Sequence, residues 1–185
     1  MRLCKGRQPV NLTEEKKTVK IFRLASFLFA AFTFLMFVPA IQGQRPTEIP
    51  WGKQISGLQV RIRECPESER QEGKAMMIFE VRNTSDRPVD FCWWQSPLEK
   101  RWTANRFKVT GPDGVVDYQG IMVKRAPPSK KNGDYTTLRS GWTLSVKFDL
   151  KEVYRLKAGT KYSMSYEGTS LGSLPASNSI EFQIQ

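Results

Sequence analysis

The sequence predicts an all-β domain of the immunoglobulin-like sandwich type, with about eight or nine strands behind one hydrophobic leader. Three observations predict it. From Tyr118 to Tyr166, short alternating apolar runs are separated by turns bearing Gly and Pro, with no sustained helical period. Eleven prolines and thirteen glycines supply many turns. An uncharged, Phe-rich run precedes this region, so the folded part begins only after it.

The chain divides into a polar basic stretch, 1–23, an apolar run, 24–43, a linker, 44–57, and the strand-rich domain, 58–185. Lys16, Lys17, Lys20 and Arg23 cluster before the apolar run, and Leu24 to Gln44 contains no charged residue. About 20 apolar residues can span a bilayer as a helix. Positive charge on the N-terminal side keeps that end cytoplasmic. The run therefore serves either as a signal peptide or as an uncleaved anchor. Val38-Pro39-Ala40 and Ile41-Gln42-Gly43 are the candidate cleavage sites, and Pro39 and Gly43 end the helix where a peptidase needs extended chain. Either way, the domain after Gln44 lies outside the cytoplasm, secreted, periplasmic or membrane-anchored. Cys4 stays inside and reduced.

Net charge is +11, spread along the chain: residues 44–185 carry 22 Lys/Arg and 16 Asp/Glu, or +6. Basic balance alone favours anionic surfaces. Interspersed signs instead describe a solubilising surface, with no patterned site for a specific nucleic acid. There is no histidine. That removes His-bearing triads, HExxH zinc sites and imidazole metal centres.

In chain order, Pro46, Pro50 and Gly52 mark the linker, whose Trp51 should tuck against the domain edge. Leu58, Val60 and Ile62 alternate with Gln59, Arg61 and Arg63 as a half-buried strand. A charged loop, 66–74, leads to Ala75–Val81, apolar on both faces until Glu80, as in a central strand. Asn83-Thr84-Ser85-Asp86 is a turn that also matches a glycosylation sequon. Val89–Trp94 reads as a strand whose adjacent Trp93 and Trp94 face opposite sides. A Trp left on the outside beside Lys100, Arg101 and Trp102 would form an aromatic, basic binding surface. The alternative is that loop 95–105 covers it.

Phe107 and Val109 start a hairpin that turns at Gly111-Pro112-Asp113-Gly114 and returns through Val115–Tyr118. Ile121–Val123 is a short apolar run before the basic, Pro-rich loop Ala126–Gly133. Tyr135–Leu138 leads to a turn at Ser140-Gly141. Leu144, Val146 and Phe148 alternate with Ser145 and Lys147 as a half-buried strand, after which Asp149 caps a helical turn, 150–154. Gly159 and Tyr162 are placed as a tyrosine corner, the Tyr162 hydroxyl reaching back to the upstream backbone. Tyr162, Met164 and Tyr166 share a face, 167–177 is a loop, and Ile180, Phe182 and Ile184 form the last strand.

Two cysteines, Cys65 and Cys92, lie in the exported domain and could form one disulfide. Without His they make no metal site, and a Cys nucleophile would lack an imidazole base. Asp and Glu show no paired spacing for acid–base work. No catalytic residue, metal ligand or cofactor site is expected. Two binding roles remain, toward a protein partner or toward a carbohydrate or other envelope polymer, the latter using Trp94, Trp102 and the neighbouring Lys100 and Arg101.

Between Phe107 and Tyr166 stand Tyr118, Gly120, Val123-Lys124-Arg125, Pro127, Asp134-Tyr135, Leu138, Gly141, Asp149-Leu150, Tyr154, Gly159, Tyr162 and Tyr166. With these residues the region resembles the β-sandwich pro-region of the deuterolysin and peptidyl-Lys metalloendopeptidase family. Arg82-Asn83-Thr84-Ser85 and Ser96-Pro97-Leu98-Glu99 match that pro-region more loosely. In the family, a zinc domain with HExxH follows. This chain has no His, so the resemblance implies a stand-alone relative of the pro-region rather than a protease. Such pro-regions fold or mask a peptidase domain, which makes a peptidase an expected partner.

Overall fold

A computed structural model describes residues 48–184. The basic stretch, the apolar leader, Cys4 and the start of the linker lie outside the described residues. Nine strands occur among the described residues, and no helix there is long and apolar enough to cross a membrane. The strands are β1 (Leu58–Glu64), β2 (Met76–Asn83), β3 (Val89–Cys92), β4 (Phe107–Gly111), β5 (Gly114–Val115), β6 (Tyr135–Leu138), β7 (Thr143–Asp149), β8 (Lys161–Tyr166) and β9 (Ser179–Gln183). They form three antiparallel sheets, β1-β2-β7, β3-β6 and β5-β4-β8-β9.

Strand β2 is central, as its two-faced apolar sequence requires. Its register sets Val81 opposite Val60 on one side and Leu144 on the other, and Phe79 opposite Ile62 and Val146. The face carrying Met77, Phe79 and Val81 points into the core. Phe79 meets Tyr166 of β8 edge-on at 5.1 Å and Phe107 of β4 at 6.4 Å, so the three- and four-stranded sheets share one core. Phe107 stacks on Phe148 of β7 at 5.3 Å. Burying each such ring contributes on the order of 2–3 kcal/mol.

The opposite face of β2 carries Glu80, buried because Arg61 Nε (2.7 Å) and Arg63 (3.2 Å) cover it. Above that cluster, Trp51 lies against the guanidiniums of Arg61 and Arg82, 4.2 and 4.1 Å from its ring centre. Gly52 N–H donates to Val60 O at 2.9 Å. A Cβ on Gly52 would sit 2.3 Å from Ala176 O, so only glycine lets the chain pass there. The stretch 48–57, read as a linker, is therefore packed onto the domain.

Two local expectations change, and one short apolar run stays outside the sheets. The strand expected over Val89–Trp94 stops at Cys92, and Trp93–Gln95 forms a 3-10 turn. Cys92 N–H bonds to Gly172 O and Trp93 N–H to Asp134 O, which draws the chain off the ladder. Ile121–Val123 is exposed and joins no ladder; Val123 N–H donates instead to Thr103 O. The Cys65–Cys92 disulfide is not formed. Both thiols are free and buried, Cys65 just beyond β1 and Cys92 at the end of β3, in different sheets. Burial pushes both thiol pKa values up, which keeps them protonated.

The turn that follows β2 is built on its sequon asparagine. Asn83 is buried, its Nδ2 donates to Arg87 O (2.8 Å) and Leu138 O (2.9 Å), and its Oδ1 accepts from Ser85. At the other end, the Lys157 N–H donates to the Tyr162 hydroxyl at 2.8 Å, and Gly159 holds φ +71 between them. Asp149 caps the 3-10 turn Leu150–Glu152 through Lys151 N–H and also accepts from Ala75 N–H.

Candidate functional site

The loop between β3 and β4 gathers the sequence-predicted surface. Ser96 starts a second 3-10 turn, Pro97–Glu99, with its Oγ accepting from Leu98 N–H and Pro97 at the first helical position. Lys100 closes the turn in the left-handed region, φ 59. That reversal sends Arg101 and Trp102 back toward β7.

Trp102 is half-buried. Its ring meets Phe148 at 5.5 Å and Phe107 at 6.1 Å, edge to face, and its Nε1–H donates to Glu152 at 2.6 Å. These bonds fix the indole beside a shallow groove of about 320 Å³, lined by Pro97, Lys100, Arg101, Trp102, Val146 and Phe148. The floor is apolar and the rim basic. Lys147, on the same rim, pairs with Glu69 at 2.7 Å, which holds its ammonium charged.

Trp94 does not join this surface. It is 9% exposed and lies under Arg125, whose guanidinium is 4.8 Å from the ring centre. The reason is local: the 3-10 turn at Trp93–Gln95 rotates Trp94 inward, while Trp93 Nε1–H donates to Gly133 O. The proposed surface therefore keeps Lys100, Arg101 and Trp102 and loses Trp94.

Beneath the loop is a buried ionic centre that sequence reading missed. Glu99 accepts from Thr103 Oγ1 (2.7 Å) and Arg106 (3.0 Å) and pairs with Arg125. Its side chain is 4% exposed and that of Arg106 8%. Burial lowers the Arg106 pKa, and the Glu99 charge opposes that shift. Ser96-Pro97-Leu98-Glu99 and Val123-Lys124-Arg125, distant in sequence, thus meet in space. The centre sets one carboxylate between two guanidiniums, the outer of which, Arg125, is partly exposed, and it presents no free base or nucleophile. Nearby, Tyr166 donates to Gln95 O at 2.8 Å, and burial pushes its phenol well above the free value. Among the described residues no cluster of three His, Cys, Asp or Glu could hold a metal. Chemically, the arrangement offers an apolar slot between cations, suited to binding.

No protein-family model matches the chain. One curated protein does match in part. This chain is similar to a section of an extracellular protease from Aeromonas hydrophila, 37% identical over 86 residues. The match takes in 46% of this chain and only 24% of that protein. The chain thus spans about a quarter of its curated relative, and what it shares is a protease-related region.

Proposed function

We propose that the folded region is a non-catalytic, exported, immunoglobulin-like β-sandwich module that binds a protein partner and works beside a peptidase. The observation that carries this reading is the groove at Trp102, an apolar floor of Val146, Phe148 and Pro97 under a rim of Lys100 and Arg101. Apolar centres with Trp and Arg at their margin are the usual composition of protein-binding hot spots. Partial similarity to an extracellular protease supports a peptidase setting and an extracytoplasmic location. Two sheets meeting across one core, with the Tyr162 hydroxyl tied to Lys157, support the immunoglobulin-like description. The pro-region resemblance adds that the peptidase itself is the partner. A polymer-binding role is the weaker reading, because it needs an aromatic platform and Trp94 is covered.

The test is a photo-crosslinking residue at Arg101 in the chain expressed in its own host. An adduct with an extracellular peptidase, lost on Trp102→Ala with folding intact, is the expected result. Adducts with envelope polymer alone, or none with any peptidase, overturn it.

A further inference from the structure

We propose that β7 is an acceptor edge: an extended acidic segment of the partner adds beside it as a fourth strand of the β1-β2-β7 sheet. This rests on the protein-binding reading above. Strand β7 is the last strand of its sheet, and nothing among the described residues pairs with its outer side. Asn83 N–H donates to Trp142 O at 3.0 Å and Leu150 N–H to Ala75 O at 3.1 Å, which fixes the parity of the β2–β7 ladder. Leu144, Val146 and Phe148 turn both backbone groups toward β2, as do the Trp142 carbonyl and the Leu150 N–H. Thr143, Ser145 and Lys147 therefore turn theirs outward.

Side chains agree with a sheet that is one strand short. Trp142, Leu144, Val146 and Phe148 share one face of β7. Trp142 is 55% exposed, Leu144 and Val146 are half-buried, and only Phe148 is buried. In β2 the matching row, Phe79 and Val81, is sealed completely. An added strand with apolar residues at alternate positions would cover the open stripe and place one side chain in the groove beside Trp102.

The opposite margin of the same sheet shows what a closed edge looks like. Asn178 accepts from Ile62 N–H at 2.8 Å and donates to Ile62 O at 3.0 Å, a buried amide standing in for a neighbouring strand. Among the described residues no side-chain amide occupies the outward groups of β7, although the turn Pro97–Glu99 packs close to the strand. Strand β7 has no Pro, and its one lysine, Lys147, points outward and is tied to Glu69. Charge selects the occupant. Among the described residues Lys100 and Arg101 at the rim have no ion-pair partner, and the one carboxylate that lines the groove, Glu152, accepts from Trp102. A carboxylate on the groove face of the incoming strand, two residues from the side chain that enters the groove, would face those cations. A second copy of this basic domain, +6 over residues 44–185, fits poorly.

The test uses the full chain, a short synthetic peptide with Val, Phe and Ile at alternate positions and Glu or Asp on the same face at its groove end, and fluorescence anisotropy. The same peptide with Lys in place of the acids is the charge control. A third version is N-methylated on the residues that would pair. Ser145→Pro removes an N–H the fold does not use, so folding should survive. The acidic peptide should bind. The Lys peptide, the N-methylated peptide and Ser145→Pro should each weaken binding by about ten-fold or more. If Ser145→Pro unfolds the chain, the N-methylated peptide decides alone. Equal binding by the N-methylated and parent peptides overturns strand addition while leaving a binding groove. No binding by any peptide overturns the inference without touching a peptidase crosslink at Arg101. A dimer that Ser145→Pro dissociates assigns the edge to a second copy instead.

Discussion

Glu99 offers the sharpest perturbation of the fold. Glu99→Gln keeps the volume and the acceptor for Thr103 but removes the negative charge. Arg106, with a side chain 8% exposed, would then be a buried cation without a partner, whereas Arg125, 31% exposed, can turn to water. Breaking one side of a buried pair costs about 3–5 kcal/mol. The exposed arm contributes ~1 kcal/mol or less. Against a domain stability of about 5–15 kcal/mol this is a large loss. With a urea slope of roughly 1.5–2 kcal/mol/M for a domain of this size, the midpoint should fall by about 2 M. Urea unfolding followed by Trp fluorescence measures it, because Trp94 lies under Arg125. The double variant Glu99→Leu/Arg106→Met removes both charges and should be more stable than either single variant. A Glu99→Gln midpoint within ~0.3 M of wild type, or additive single effects, would refute the reasoning.

Other expectations follow from the same geometry. Tyr162→Phe deletes the hydroxyl that accepts from Lys157 N–H and should cost about 1 kcal/mol by urea unfolding. Asn83→Ala leaves two carbonyls without donors and should cost about 2 kcal/mol; a glycosylating host should leave folded Asn83 unmodified, read by intact mass. Cys65 and Cys92 should resist a thiol reagent in the native chain and react fully in urea without reductant, since both are free and buried. Burial raises the Tyr154 and Tyr166 phenols above the free value of 10.0. The folded state thus holds those protons more tightly than the unfolded chain. Their contribution is complete below pH 10 and is lost as pH rises beyond it, so thermal unfolding temperatures should drop on that alkaline limb.

Much of the architecture was legible because period-two burial is local. Leu58, Val60 and Ile62, then Leu144, Val146 and Phe148, then Tyr162, Met164 and Tyr166 each write their inward face directly in sequence. The double-sided burial of β2 also announced a central strand. The sequence leaves open whether Trp94 is outside or covered, because a 3-10 turn after Cys92 shifts the parity by which adjacent residues diverge, and that turn depends on partners at Asp134 and Gly172. The ionic centre left no trace either. Glu99 and Arg125 are 26 residues apart, and ion pairs at that separation have no period or spacing to betray them. Lys100, Arg101 and Trp102 were visible as a basic aromatic cluster, but the other wall of their groove, Val146 and Phe148, comes from a distant strand.

Residue-resolved amide exchange along β7 in the free protein tests the open edge most directly. Leu144, Val146 and Phe148 should be protected, while Thr143, Ser145 and Lys147 between them exchange quickly. Protection of all six would mean the edge is already covered, and the strand-accepting role would fall with it.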